Sequence, residues 1–201
     1  MERLTELEVI NRMLLGIRLA PVATVDELDS YSEGMIARGI LRQVMLDVLI
    51  PGWNFNTRRL VLQPSPEGLV QVPSNTIDIF VPQTATCEIM MDTDGYLINL
   101  SSLDMTKVFS GPVDCYVILG MDWGQLPAPL QSLVLHRARL AFKLEMKSEA
   151  GADTSVIMQD IQRAEAAAKS WDLRQKRASM LDTLRMRQHV NPSWPRGAEY
   201  A

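Results

Sequence analysis

The hydrophobic period of this chain changes twice, and that double switch limits what it can fold into. Apolar residues first recur at three- and four-residue steps, then alternate with polar ones between short breaks, then return to the helical step. Neither an all-helical bundle nor a single sheet satisfies such a pattern. It predicts an α+β fold in which a bundle of long helices from both chain ends carries an inserted small antiparallel β-sandwich or barrel. The expected boundaries are 1–57 for the N-terminal helices, 58–125 for the β-rich insertion, 126–187 for the C-terminal helices and 188–201 for an extended tail.

The first helix is expected over 4–19, with Leu4, Leu7, Ile10, Leu14 and Ile17 on one face and Pro21 stopping it. Ser30 and Glu33 have capping-box spacing for a second helix, and Thr24 with Glu27 offers a rival cap for a short earlier turn. Pro51-Gly52 ends the second helix. Strands are expected over 59–63, 69–72, 77–81, 86–91, 96–100 and 113–119, with "DTDG" as a hairpin turn and "KVFSG" as an edge strand. After "DWGQLPAPL" a helix carries Leu130, Leu133, Val134, Arg137, Ala138, Ala141 and Leu144. Asp153 or Thr154 caps a last helix that is expected to run to about Arg187. The tail "QHVNPSWPRGAEYA" has three breakers and no period.

Charge and composition exclude several functions. The 20 basic and 24 acidic residues leave a net charge of −4, without the basic stripe that backbone-neutralising nucleic-acid binders need. No apolar run of about 18 residues suits a membrane span. The charged start "MERLTELEV" is unlike a signal peptide, which points to synthesis in the cytoplasm.

No chemical constellation emerges either. Cys87 and Cys115, the only cysteines, lie in apolar strand-like runs and read as buried free thiols. His136 lacks a second histidine one turn away, and His189 is remote in sequence. Asp92 and Asp94 lack the other ligands of a calcium loop. Asp122 has no partner carboxylate, Ser101 and Ser102 have no base, and no glycine-rich phosphate loop is present. The sequence therefore predicts no catalytic residue, no cofactor and no metal.

Two features remain. "PGWNFNTRR" places Trp53 and Phe55 where the period changes, in a chain with only 6% aromatic residues. The aromatics are expected to wedge into the helix–sheet junction while Asn54 and Asn56 satisfy turn backbone groups. Gly52, Trp53, Phe55, Asn56 and Thr57 thus form a candidate structural hinge. Arg174, Arg177, Arg185 and Arg187 on the last helix, with Pro192, Trp194 and Tyr200 in the tail, form a candidate partner interface.

Together these segments resemble the tail tubular protein A family, head-to-tail adaptors of short-tailed bacteriophages. The resemblance rests on Ile10, Asn11, Pro21, Val22 and Leu28, then on Ala37, and most distinctively on the run Gly52, Trp53, Phe55, Asn56 and Thr57. It continues through the proline-led strand from Pro73 to Ile79, the Tyr96–Asn99 strand, "MDWGQLPAPLQSLVLHRARLAF", and Glu165 with Ala166. It covers roughly residues 8 to 185. The chain departs from the pattern at Arg18-Leu19, where the family has a glycine, and at "KSEAGAD", which replaces an arginine-glycine turn.

The resemblance implies a structural adaptor rather than an enzyme. It implies a homo-oligomeric ring of about twelve subunits at the virion's tail neck, docked on the portal protein and presenting a platform to a tail nozzle similar to tail tubular protein B. Genomic DNA would pass through the ring without sequence-specific binding. Two other readings stay open: an adaptor of a long-tailed phage, and a small enzyme or carbohydrate-binding module on the β-region.

Overall fold

The computed structural model of the chain describes residues 4–82, 87–147 and 153–181, with side chains of the last helix described to residue 175. Helix α1 spans Glu6–Gly16, shorter at both ends than periodicity suggests. Its start is fixed by Thr5, whose hydroxyl accepts from the Glu8 N–H at 3.2 Å while the Thr5 N–H donates to Glu8 Oε2 at 2.6 Å. This reciprocal cap satisfies two amides that a helix end would leave unpaired. At the other end Arg18 adopts φ 65°, and the Leu19 N–H returns to the Leu14 carbonyl at 3.0 Å. Arg18 therefore takes the left-handed conformation that glycine adopts without cost.

Helix α2 (Val25–Ser30) and helix α3 (Ser32–Leu49) correct the expected second helix. Thr24 is the working cap: its hydroxyl accepts from Glu27 N–H at 3.2 Å, and Glu27 reaches back to Ala23 N–H at 2.7 Å. Ser30 donates to the Glu27 carbonyl instead, because α2 already occupies that segment, and α3 starts after Tyr31 without a side-chain cap. Gly34 allows the sharp corner, since a Cβ there would lie 2.6 Å from Leu28 Cδ1. Asn11 clamps the preceding loop, donating to the Val22 carbonyl at 2.8 Å and accepting from its N–H at 2.9 Å.

The insertion holds β1 (Thr57–Leu62), β2 (Thr76–Phe80), β3 (Ile89–Met91), β4 (Leu97–Asn99) and β5 (Val113–Leu119). One antiparallel sheet has the order β1-β5-β2, with Leu60 opposite Cys115 and Ile79 opposite Val117; β3 and β4 form a separate hairpin. The mixed α+β class is as expected, and the two small sheets share one core of Val70, Val72, Ile79, Leu97, Cys115 and Val117. Residues 69–72 are not a full strand. They make isolated bridges, Leu69 to Val108 and Gln71 to Tyr96, so "KVFSG" also contributes only a bridge. Pro64, Pro66 and Pro73 crowd this segment and remove ladder donors.

A 3₁₀ turn at Trp123–Gln125 leads into α4 (Ala128–Glu145), which packs on α1, α3 and α5. Helix α5 (Thr154–Leu181) starts at Asp153, whose carboxylate accepts from Ser155 N–H at 3.0 Å; its expected continuation to Arg187 lies outside the described residues. Ala164 and Ala168 are buried against the helical core. Their small side chains let α5 lie close to α4, and Arg137 of α4 pairs with Glu165 of α5 at 3.4 Å. Phe142, Ile10, Met13, Leu41 and Leu130 fill the centre of the bundle.

Candidate functional site

The junction run is where these two packed regions meet. Gly52 has φ 76°, and a Cβ on it would press within 3.0 Å of Ile118 Cδ1 and 3.1 Å of Thr57 Oγ1. Only glycine turns the chain there without strain. From this turn the Trp53 indole N–H reaches back to the Val48 carbonyl at 2.7 Å, closing the exposed end of α3. The Trp53 carbonyl accepts from Asn56 and Thr57 N–H groups at 3.2 and 3.0 Å, making a tight turn that launches β1.

Asn56 is fully buried. Its Oδ1 accepts from Trp53 N–H at 2.7 Å, and its Nδ2 donates to Leu49 at 3.3 Å and to Leu119 at 3.1 Å. The Leu119 N–H then donates to the Asn56 carbonyl at 2.9 Å. One side chain thus ties the end of α3, the turn and the end of β5. A buried amide so fully paired positions its surroundings strongly, because losing a partner strands polar groups away from water.

Asn54 does something the sequence did not disclose. It was expected to satisfy its own turn, but its N–H and Nδ2 bond the Asp172 carboxylate of α5 at 2.8 and 2.7 Å, and Nδ2 also reaches the Asp172 carbonyl at 3.2 Å. Phe55 meets Trp171 edge-on, with ring centroids 5.8 Å apart. Trp53 and Phe55 remain half-buried at this contact, packed against the helical core as a wedge. Asp172 and Trp171 lie 118 and 116 positions beyond their partners, so local spacing gives no signal for them. Asp172 looks in sequence like mere dilution of the neighbouring arginines.

The five expected hinge residues are therefore brought together, with Asn54, Trp171 and Asp172 added. Of the expected partner interface, Arg174 is exposed on α5. Arg177 belongs to α5, but its side chain is outside the described residues, as are Arg185, Arg187, Pro192, Trp194 and Tyr200 altogether.

The other chemical candidates separate. Cys115 is buried and Cys87 half-buried, and both are free; burial, with help from the Asp114 charge, pushes the Cys115 thiol up to about 11. Asp92 accepts from the N–H groups of Asp94 and Tyr96 and pairs with Lys107, acting as a turn clamp in the expected hairpin. His136 is half-buried on α4, where burial lowers its pKa, with Asp160 opposing and the Arg139 and Arg12 cations adding to the shift. No cluster of three metal-ligating residues occurs among the described residues, and no described helix is long and apolar enough to cross a membrane.

A family model described as tail tubular protein matches residues 7–179. No curated protein matches the chain. The neck of an empty GTA particle computed with C6 symmetry is 18% identical over 81% of this chain and 93% of that chain, with a TM-score of 0.31. That overlap is too loose to support a comparison of geometry.

Proposed function

The chain belongs to the tail tubular protein family, and we propose that it is one subunit of the adaptor ring at the neck of a short-tailed phage. As a tail tubular protein it is a structural component of the virion tail and not an enzyme. In the proposed assembly about twelve wedges close a ring between the portal protein and the tail nozzle, and the ring continues the channel through which DNA leaves.

The family match over 7–179, nearly the whole described chain, carries this reading. The surface is consistent with it. Leu15, Met35, Ile36, Leu46, Val156, Met158 and Leu173 are exposed on helices, and in a ring subunit contacts would cover part of this apolar surface. Mild net acidity also suits a conduit, because a cationic wall would hold phosphates through salt-sensitive contacts. The knot around Asn56 would let a force on the helices pass into the sheets without bending the junction.

Cryo-electron microscopy of the particle is the test. The expected density is a ring of about twelve copies directly beneath the portal and above the nozzle. A different location, or a copy number at the neck clearly different from about twelve, would sink the reading.

A further inference from the structure

We propose that the outward face of α3 packs against the outward face of α5 of a second copy of this chain, in parallel, with the two backbones closest at Gly39. The inference rests on the ring reading above. Ile36, Gly39, Gln43, Leu46 and Ile50 follow one another at three- and four-residue steps and are all exposed, so they form a single stripe along α3. Ile36 is 41% exposed, Leu46 40% and Ile50 45%. Gly39 sits in the middle of this stripe, inside an 18-residue helix, although glycine is the poorest helix former after proline. The chain itself gives no reason for it. A Cβ at Gly39 would meet no atom within 4 Å, whereas one at Gly34 would strike Leu28. A residue that weakens its own helix and faces open space lets another backbone come close.

The α5 helix of a second copy fits this stripe in spacing, bulk and charge. Arg163, Ala166, Ser170 and Leu173 are exposed at the same steps of three and four. Ala166 and Ser170 are small, so they leave room for the backbone at Gly39 to approach. With Gly39 against Ala166, Leu46 lies beside Leu173, each about two turns further on, and Leu173 is 60% exposed. The exposed charges of α5 up to residue 175 are Arg163, Lys169 and Arg174, while Asp160, Glu165 and Asp172 are half-buried. On α2 and α3 the exposed charges are Asp26, Glu27, Asp29 and Asp47, against Arg42. An acidic side thus meets a basic one. Other exposed apolar residues lack this match. Leu103 lies in a turn between β4 and β5, and Leu144 stands in the last turn of α4, so neither belongs to a stripe along a helix.

The two helices are also placed for contact between copies. Both pack on α4, and they make no extensive contact with each other. α3 turns Leu41, Val44 and Val48 inward and α5 turns Ala164 and Ala168 inward, so the two stripes face away from the shared core. Both helices run toward the junction. α3 ends there, where Trp53 closes on Val48, and α5 reaches it late, at Trp171 and Asp172. They therefore run in the same sense within one copy, and they stay close to parallel between copies, since neighbours in a twelve-fold ring differ by about 30°. One copy cannot bring its own two outward faces together. A contact between unlike faces, repeated around an axis, closes a ring.

The test compares the isolated chain with particles assembled from the full chain. Gly39→Leu adds a strong helix former over open space, so the isolated chain should unfold roughly 2–4 °C higher. In particles the same variant should lower ring occupancy at the neck at least tenfold, and so should Ala166→Leu. Gly39→Cys combined with Ala166→Cys or with Ser170→Cys should give, after mild oxidation of particles, a ladder of covalent multimers on a non-reducing gel. Each single variant, which keeps Cys87 and Cys115, should give none, and neither should Gly39→Cys combined with Leu103→Cys or Leu144→Cys. A lower unfolding temperature for Gly39→Leu would show that the fold itself needs the glycine, and overturns the proposal. Normal rings with Gly39→Leu, or rings without a ladder from either α5 pair, overturn the α3–α5 contact and leave the ring reading standing. A ladder from the Leu103→Cys or Leu144→Cys pair, or from a single variant, also overturns that contact. Absence of rings in the parent overturns both.

Discussion

The helical region and the β region are held together by different means. The bundle buries long aliphatic side chains and Phe142 along helices of up to 28 residues, so each helix brings several anchors to one interior. The β region has strands of three to seven residues and a core rich in valine. Its connections are set by polar side chains: Ser65 accepts from Leu69 N–H, Asn75 donates to the Gly120 carbonyl, and Asp92 clamps the hairpin. Burial dominates the first region, and turn chemistry specifies the second. Asn56 and Ile118 sit between them, fully or almost fully buried, and Ile118 belongs to neither core.

The sharpest way to break the contrast is to empty each core. Phe142→Ala should cost about 3–5 kcal/mol and Leu97→Ala about 2–5 kcal/mol, both side chains being fully buried. Chemical denaturation followed separately by tryptophan fluorescence and amide exchange distinguishes the outcomes. Phe142→Ala should lower both probes together, because the bundle supplies the ends that the sheet is tied to. Leu97→Ala should open the hairpin amides at lower denaturant than the helices. Loss of the helices first in Leu97→Ala would remove the distinction between the regions.

Asn56→Ala attacks the tie itself. It strands the Trp53 N–H and removes a donor from both Leu49 and Leu119 carbonyls. The expected loss is about 2–4 kcal/mol, from several buried groups at roughly 1–3 kcal/mol each. Its signature is a biphasic transition where the parent shows one. A single transition at an unchanged midpoint would mean that water replaces the amide without cost.

Two backbone substitutions sharpen the comparison with smaller effects. Gly52→Ala forces a left-handed alanine against Ile118 and should destabilise by about 1–2 kcal/mol. Arg18→Gly relieves the left-handed arginine at the end of α1 and should stabilise by about 0.5 kcal/mol, the relief of strain exceeding the added freedom of the unfolded chain. Thermal midpoints should move in opposite directions. A fall for Arg18→Gly would show that the Arg18 side chain contributes more than its backbone costs.

The contrast also explains what was legible in the sequence. The helices are readable because a long stripe such as Ile10, Leu14 and Ile17 repeats its message over several turns. The β5 strand is readable for the same reason, with Val113, Cys115 and Val117 on one face. Residues 69–72 misled because alternation marks a half-buried segment whether or not a partner lies alongside, and Val70 and Val72 are buried with only isolated bridges beside them. The competing caps Ser30 and Thr24 could not be ranked without knowing that Leu28 must be buried next to Gly34. The junction run was readable as a unit, since its turn bonds are local. Its bond to Asp172 was not, because it joins residues 118 positions apart.

The smallest expected effect is local and concerns acid. The carboxylate of Asp92 sits below the usual range, chiefly through its bond from Lys107, then through the N–H of Tyr96 and, after the opposing effect of burial, that of Asp94. A folded-state pKa below the unfolded one means that the stabilisation is fully present above the ordinary aspartate value, near ~4. It is lost as pH falls through the depressed folded value. Protonation removes the pairing with Lys107 and weakens the two amide bonds, so the Asp94 and Tyr96 amides should lose protection as the pH falls below the ordinary aspartate value. The helical core should keep its own protection as that loss begins, since its interior is apolar. Asp92→Asn should abolish the pH dependence of these two amides, because the neutral amide still accepts from the backbone but cannot pair with Lys107. Hydrogen exchange corrected for its intrinsic pH dependence measures the difference. Protection of Asp94 and Tyr96 that stays constant down to pH 2 would show that the hairpin closes on its core residues alone, and that turn chemistry adds less to the β region than its bonds suggest.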